Sequence, residues 1–130
     1  MFSIKETSYG LRIVLGDTIQ ESEMAKWAEF VTASLRNQKR PFGVLIDLRT
    51  LKPLTPAAAE QLQQTAKNFL RAGLERTTMV YDSALLKLQF KRLSAEAGLA
   101  SLARFVDAGL PDWEDRAQAW VVNGKEPGIK

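Results

Sequence analysis

Cysteine and histidine are both missing from the 130 residues. Without cysteine there is no disulfide, thiolate zinc site or thiol nucleophile. Without histidine the commonest general base near neutral pH and the commonest transition-metal ligand are gone. Long apolar runs are missing too. No window approaches the roughly 18 apolar residues of a membrane span, and the opening MFSIKETSYG lacks the basic-then-apolar order of a signal peptide. The expectation is a soluble cytoplasmic protein. An excess of one charge is also lacking: 18 Lys+Arg stand against 15 Asp+Glu, interleaved along the chain, for a net charge of +3. So mild a balance predicts no nucleic-acid partner, and a membrane surface is not favoured.

What is present fits one packed domain. A chain that is 45% hydrophobic and 25% charged supports a single core, expected over residues 1–122, with a flexible tail over 123–130. Phe2 to Leu15 alternates in two pieces around Tyr9-Gly10 and reads as a hairpin. Met24, Trp27, Ala28, Val31 and Leu35 keep the spacing of an amphipathic helix, which Pro41 prevents from continuing. The continuous apolar run Phe42 to Leu48 suits a central strand covered on both faces. Thr55 as N-cap and Pro56 as first helical residue open a second helix, which Gly73 closes.

The cycle then repeats. Arg76 to Tyr81 forms a strand and Ser83 caps a helix that runs to about Glu96. Leu102 to Val106 forms a last strand, and Asp112 caps a last helix bearing Trp113, Ala117, Trp120 and Val121. The order β-β-α-β-α-β-α-β-α predicts an α/β fold: a mixed sheet with an N-terminal hairpin, packed with about four helices.

Three stretches carry a resemblance: the opening hairpin and helix, the strand VLIDL with the helix that follows it, and the ending ARFVDAGLPDWEDRAQAWV. On these the chain resembles a STAS domain, the fold of bacterial anti-sigma-factor antagonists and sulfate-transporter tails. It is most similar to the SpoIIAA-like (STAS/SEC14-type) relatives. The resemblance implies a phosphorylatable serine in an Asp-Ser-Ser-Gly turn at the start of the second helix. With the VLIDL strands superposed, Thr55 falls on the Asp, Pro56 on the first Ser, Ala57 on the phosphorylated Ser and Ala58 on the Gly. Ala57 has no hydroxyl, so the family's phosphorylation switch is not expected here.

Other residues carry further readings. Asp47, Asp82 and Asp107 each follow an apolar strand, at the edge of the sheet where α/β folds bind ligands. They read either as a cation or acid-base cluster or as three separate turn residues. Arg49 and Lys52, before Thr55, could steady an anion at the helix start or lie in a solvated loop. In the third helix Leu86, Phe90, Leu93 and Ala97 share the core face, while Leu85 and Leu88 fall outside it beside Arg92, flanked by Lys87 and Lys91. That grouping reads as a contact surface or as a wider buried stripe. The three tryptophans lie on apolar helix faces and read as core.

The expected function is a non-catalytic interaction module, possessing neither metal nor cofactor. It would bind a protein partner or a second copy of itself through Arg49, Lys52, Thr55, Leu85, Leu88, Lys91 and Arg92. The SEC14-type comparison implies an alternative, a carrier with an apolar ligand pocket between sheet and helices.

Overall fold

A computed structural model describes residues 1–128; Ile129 and Lys130, the end of the expected tail, lie outside the described residues. The elements are β1 (Phe2–Glu6), β2 (Gly10–Leu15), α1 (Glu21–Leu35), β3 (Phe42–Asp47), α2 (Pro56–Ala72), β4 (Leu74–Tyr81), α3 (Ala84–Glu96), β5 (Ala103–Asp107) and α4 (Trp113–Asn123). This is the expected order, and the chain is α/β with a five-stranded mixed sheet.

The strands lie in sequence order across the sheet, with β1 antiparallel to β2 and every later pair parallel. Thr7 fixes the hairpin, its hydroxyl accepting from the Gly10 N–H at 3.1 Å while its own N–H donates to the Gly10 carbonyl at 2.9 Å. Parallel connections are almost always right-handed, so three steps in one direction place their three helices on one face. The packing agrees: Trp27, Val31, Leu62, Phe69 and Phe90 from α1–α3 share a core with Leu11, Ile13, Val44 and Ile46.

That arrangement would leave the opposite face bare. α4 returns across it, packing Ala117, Trp120 and Val121 on Leu45, Val80 and Val106. The helix lies close because Gly43 has no side chain; a Cβ there would stand 2.3 Å from Val121 Cγ1. Thr78, buried beneath the helix, donates from its hydroxyl to the Ala117 carbonyl at 3.0 Å, so its polar atom is satisfied.

Local sequence accounts for the helix ends. Thr55 Oγ1 accepts from Ala58 N and Ser83 Oγ from Leu86 N, both at 3.3 Å, and Gly73 takes the left-handed conformation that closes α2. Asp112 departs from expectation. It makes no cap, because its backbone is outside the extended region a capping residue needs and its carboxylate accepts from Arg116 Nε at 2.8 Å. Arg116 accordingly holds the Asp112 carboxyl below its ordinary pKa.

Beyond α4, the segment expected to be loose is tethered over 124–128. Glu126 pairs with Arg104 at 2.8 Å and the Pro127 carbonyl accepts from Arg116 Nη1 at 2.8 Å. Among the described residues no helix is long and apolar enough to cross a membrane.

Candidate functional site

Parallel strands bring their C-terminal ends to one edge of the sheet, and the expected ligand residues fall there. Asp47 ends β3 and is buried. Its carboxylate accepts from the Arg49 N–H at 3.0 Å, and from Nε and Nη2 of the same residue at 3.0 and 2.9 Å. The Arg49 guanidinium also lies 4.4 Å from the Trp113 ring centre, so α4 covers the pair. The hydrogen bonds to Asp47 hold the Arg49 pKa above its usual value. A carboxylate already bonded to a guanidinium and a backbone N–H has little left to offer a cation or a proton in flight.

The other two strand-end carboxylates do not join it. The pairing register aligns Asp47 with Val80 and Val80 with Val106, on the α4 face, whereas Asp107 aligns with Tyr81 and turns to the opposite face. Asp107 Oδ1 accepts from the Gly109 N–H at 2.8 Å, the turn-residue role of aspartate. Asp82 is exposed just past β4 and adds to the negative field around Arg49. Among the described residues no three His, Cys, Asp or Glu side chains are grouped to hold a metal ion.

The start of α2 is equally occupied. Thr55 is engaged as the N-cap, Pro56 has no N–H, and Ala57 is exposed with only a methyl group. Arg49 is turned toward Asp47 and Trp113. The loop is itself well held. Asp17 N donates to the Thr50 carbonyl at 3.0 Å and Lys52 N to the Asp17 carbonyl at 2.9 Å.

A different surface is left open. Leu85 and Leu88 on α3 are 63% and 65% exposed, while Leu86, Phe90 and Leu93 of the same helix are buried. Around them lie Lys91, exposed, and Arg92, whose guanidinium bonds Glu96 at 3.3 Å in solvent. Lys87 folds over the Tyr81 ring at 5.1 Å on the other flank.

Gln89 ties this helix to the loop between β3 and α2. Its side-chain amide donates to the Leu54 carbonyl and its side-chain oxygen accepts from the Leu54 N–H, both at 3.0 Å. Arg92 lines a groove with Leu54, Pro56 and Gln89, whereas Lys91 lines one with Tyr81, Lys87 and Phe105 on the other flank of α3, and Arg49 belongs to the α4 side.

Sequence reasoning missed Gln89 and the Arg49–Trp113 stack. A glutamine at the border of a helix's core stripe looks like any solvated glutamine, and nothing in spacing pairs Arg49 with a helix 64 residues on. The tryptophans also divide: Trp27 and Trp120 are buried, but Trp113 is half-buried and serves as the platform for Arg49.

Between the sheet and α1–α3 lies a small apolar cavity of about 30 Å3, lined by Leu15, Trp27, Ile46, Phe69 and Phe90 among others. That is the volume of one water molecule, against roughly 300–1,000 Å3 for sites that enclose organic ligands. Compared with known proteins, the chain matches no family model and no curated protein.

Proposed function

We propose that the chain is a non-catalytic, STAS-like interaction module of SpoIIAA-like type, acting in the cytoplasm, which has no phosphorylation switch at Ala57. The reading rests on one observation above all: two neighbouring leucines of α3, each more than 60% exposed, on a helix whose remaining large apolar side chains are buried. Grouped exposed leucines on an otherwise ordinary surface mark a contact site.

Charge selects the partner. Lys87, Lys91 and Arg92 around the leucines give the patch a cationic rim, so two copies meeting there would oppose like charges. The fitting occupant is another protein that offers an apolar groove flanked by carboxylates. Chemistry at the strand ends fits the non-catalytic reading, since Asp47 is bonded to Arg49 and Asp107 to its own turn. The element order supports the STAS-like assignment, and the exposed methyl of Ala57 supports regulation by docking. The enclosed cavity of about 30 Å3 offers the carrier reading no site, and the groove of about 450 Å3 between α3 and β5 is open and lined by Lys87, Lys91 and Arg104 as well as Phe105.

Affinity capture with the wild-type chain, Leu88→Glu and Lys91→Glu tests the proposal at low and at raised salt. A partner retained by the wild type, lost from both variants and weakened by salt is the expected result. Equal capture by all three chains would contradict it.

A further inference from the structure

The two ends of the sheet differ in their unpaired backbone. In the β1–β2 hairpin, Met1 and Gly16 exchange bonds at 2.8 and 2.9 Å, and Thr7 N bonds the Gly10 carbonyl at 2.9 Å. The antiparallel alternation then assigns Ser3 and Lys5 to the bonded pairs and turns the N–H and C=O of Phe2, Ile4 and Glu6 outward, away from β2. Among the described residues no strand lies beyond β1. Above this open edge sits an apolar groove of about 370 Å3, formed by Phe2 and Ile4 of β1 with Phe30, Ala33, Ser34 and Asn37. Phe30 is 59% exposed, its ring 6.0 Å from that of Phe2.

We propose that a second copy of this chain occupies the β1 edge, pairing antiparallel about a two-fold axis at Ile4 to make one sheet continuous across both copies. Three features point to a copy of itself. First, the outward groups are self-complementary in this register. Ile4 meets Ile4 and Phe2 meets Glu6, and each pair can exchange both of its N–H···O bonds.

Second, no like charges meet. Lys5 falls opposite Ser3, Glu6 falls opposite Phe2, and the groove residues carry no charge. Third, the helices allow the approach. α1 runs above the edge with Phe30 at the level of Phe2, and Gln38, three residues past its end, bonds the Glu6 carboxylate at 3.4 Å. The two-fold at Ile4 therefore sets Ala33 and Ser34 facing their copies, where short side chains let the two α1 helices come together. Phe30 then packs beyond them, toward Asn37 of the other copy. This surface is separate from the α3 patch, and the proposal stands whether or not that patch binds a partner.

Sedimentation equilibrium of the wild type, Phe30→Asp, Ala33→Arg and Leu88→Glu from micromolar to millimolar concentration tests it. Both groove variants alter exposed helix positions, and circular dichroism checks that each is folded. The wild type and Leu88→Glu are expected at twice the 14.5 kDa of one chain, with Phe30→Asp and Ala33→Arg at 14.5 kDa. A monomeric wild type throughout, dimers surviving in both groove variants, or a dimer abolished by Leu88→Glu would each overturn the proposal.

Discussion

The two edge strands of this sheet are of equal length but finished differently. At β5 the outward backbone is those of Ala103, Phe105 and Asp107, because Leu102 and Ala108 bond inward to β4. Three of these six groups are satisfied within the chain. Ala103 N donates to the Leu99 carbonyl at 3.0 Å, Arg104 Nη1 donates to the Ala103 carbonyl at 2.9 Å, and Leu110 N donates to the Asp107 carbonyl at 3.1 Å. Arg104 is held for this by the Trp120 ring at 4.0 Å and by Glu126. At β1 the chain makes no such provision. An edge with none of its outward groups bonded among the described residues, lying under an exposed phenylalanine, is the surface the proposed pairing uses.

The largest way to break this contrast is at Trp120, which is buried, donates from Nε1 to the Leu102 carbonyl at 3.2 Å and supports Arg104. Trp120→Ala is expected to destabilise the fold by about 3–5 kcal/mol in urea unfolding and to loosen β5. Next comes Arg104→Ala, which removes the stack, the Glu126 pair and the bond to the Ala103 carbonyl. About 1–2 kcal/mol of stability should be lost, with the loosened edge readable as faster exchange at Ala103, whose amide bonds the Leu99 carbonyl.

Two exposed changes sharpen the contrast by leaving the fold alone. Phe30→Asp and Leu88→Glu should each unfold within about 0.5 kcal/mol of the wild-type monomer, while abolishing dimerisation and partner capture respectively. The smallest effect is acidic. Arg104 holds the Glu126 carboxyl below its ordinary pKa of 4.5, so the pair's contribution is present above that value and is lost as pH falls through the lower folded pKa. A titration followed by NMR should show Glu126 and its neighbours shifting below pH 4.5, and Arg104→Ala should move that shift upward.

Much of this fold is legible in the sequence because its signals are local. Thr55-Pro56, Ser83 and Gly73 punctuate helices through bonds to their near neighbours, and the apolar spacing in α3 separates the buried Leu86 from the exposed Leu85 and Leu88. The site depends on long-range registration that spacing does not encode. Asp47 and Asp107 both follow apolar strands, yet the register turns them to opposite faces. Asp112 has the right residue type for a cap and gives its carboxylate to Arg116 instead. Neither the closure of β5 by Arg104 nor the openness of β1 can be seen before the strand order is known, since both depend on which strands are last in the sheet.

The central claim is that β1 is an edge kept for pairing and β5 an edge partly closed by its own chain. Amide hydrogen exchange of the wild type, read residue by residue as protein concentration rises, compares the two directly. The Ile4 amide should become protected with concentration while the Phe105 amide does not change. Protection that grows at Phe105 instead, or an Ile4 amide indifferent to concentration, would contradict it.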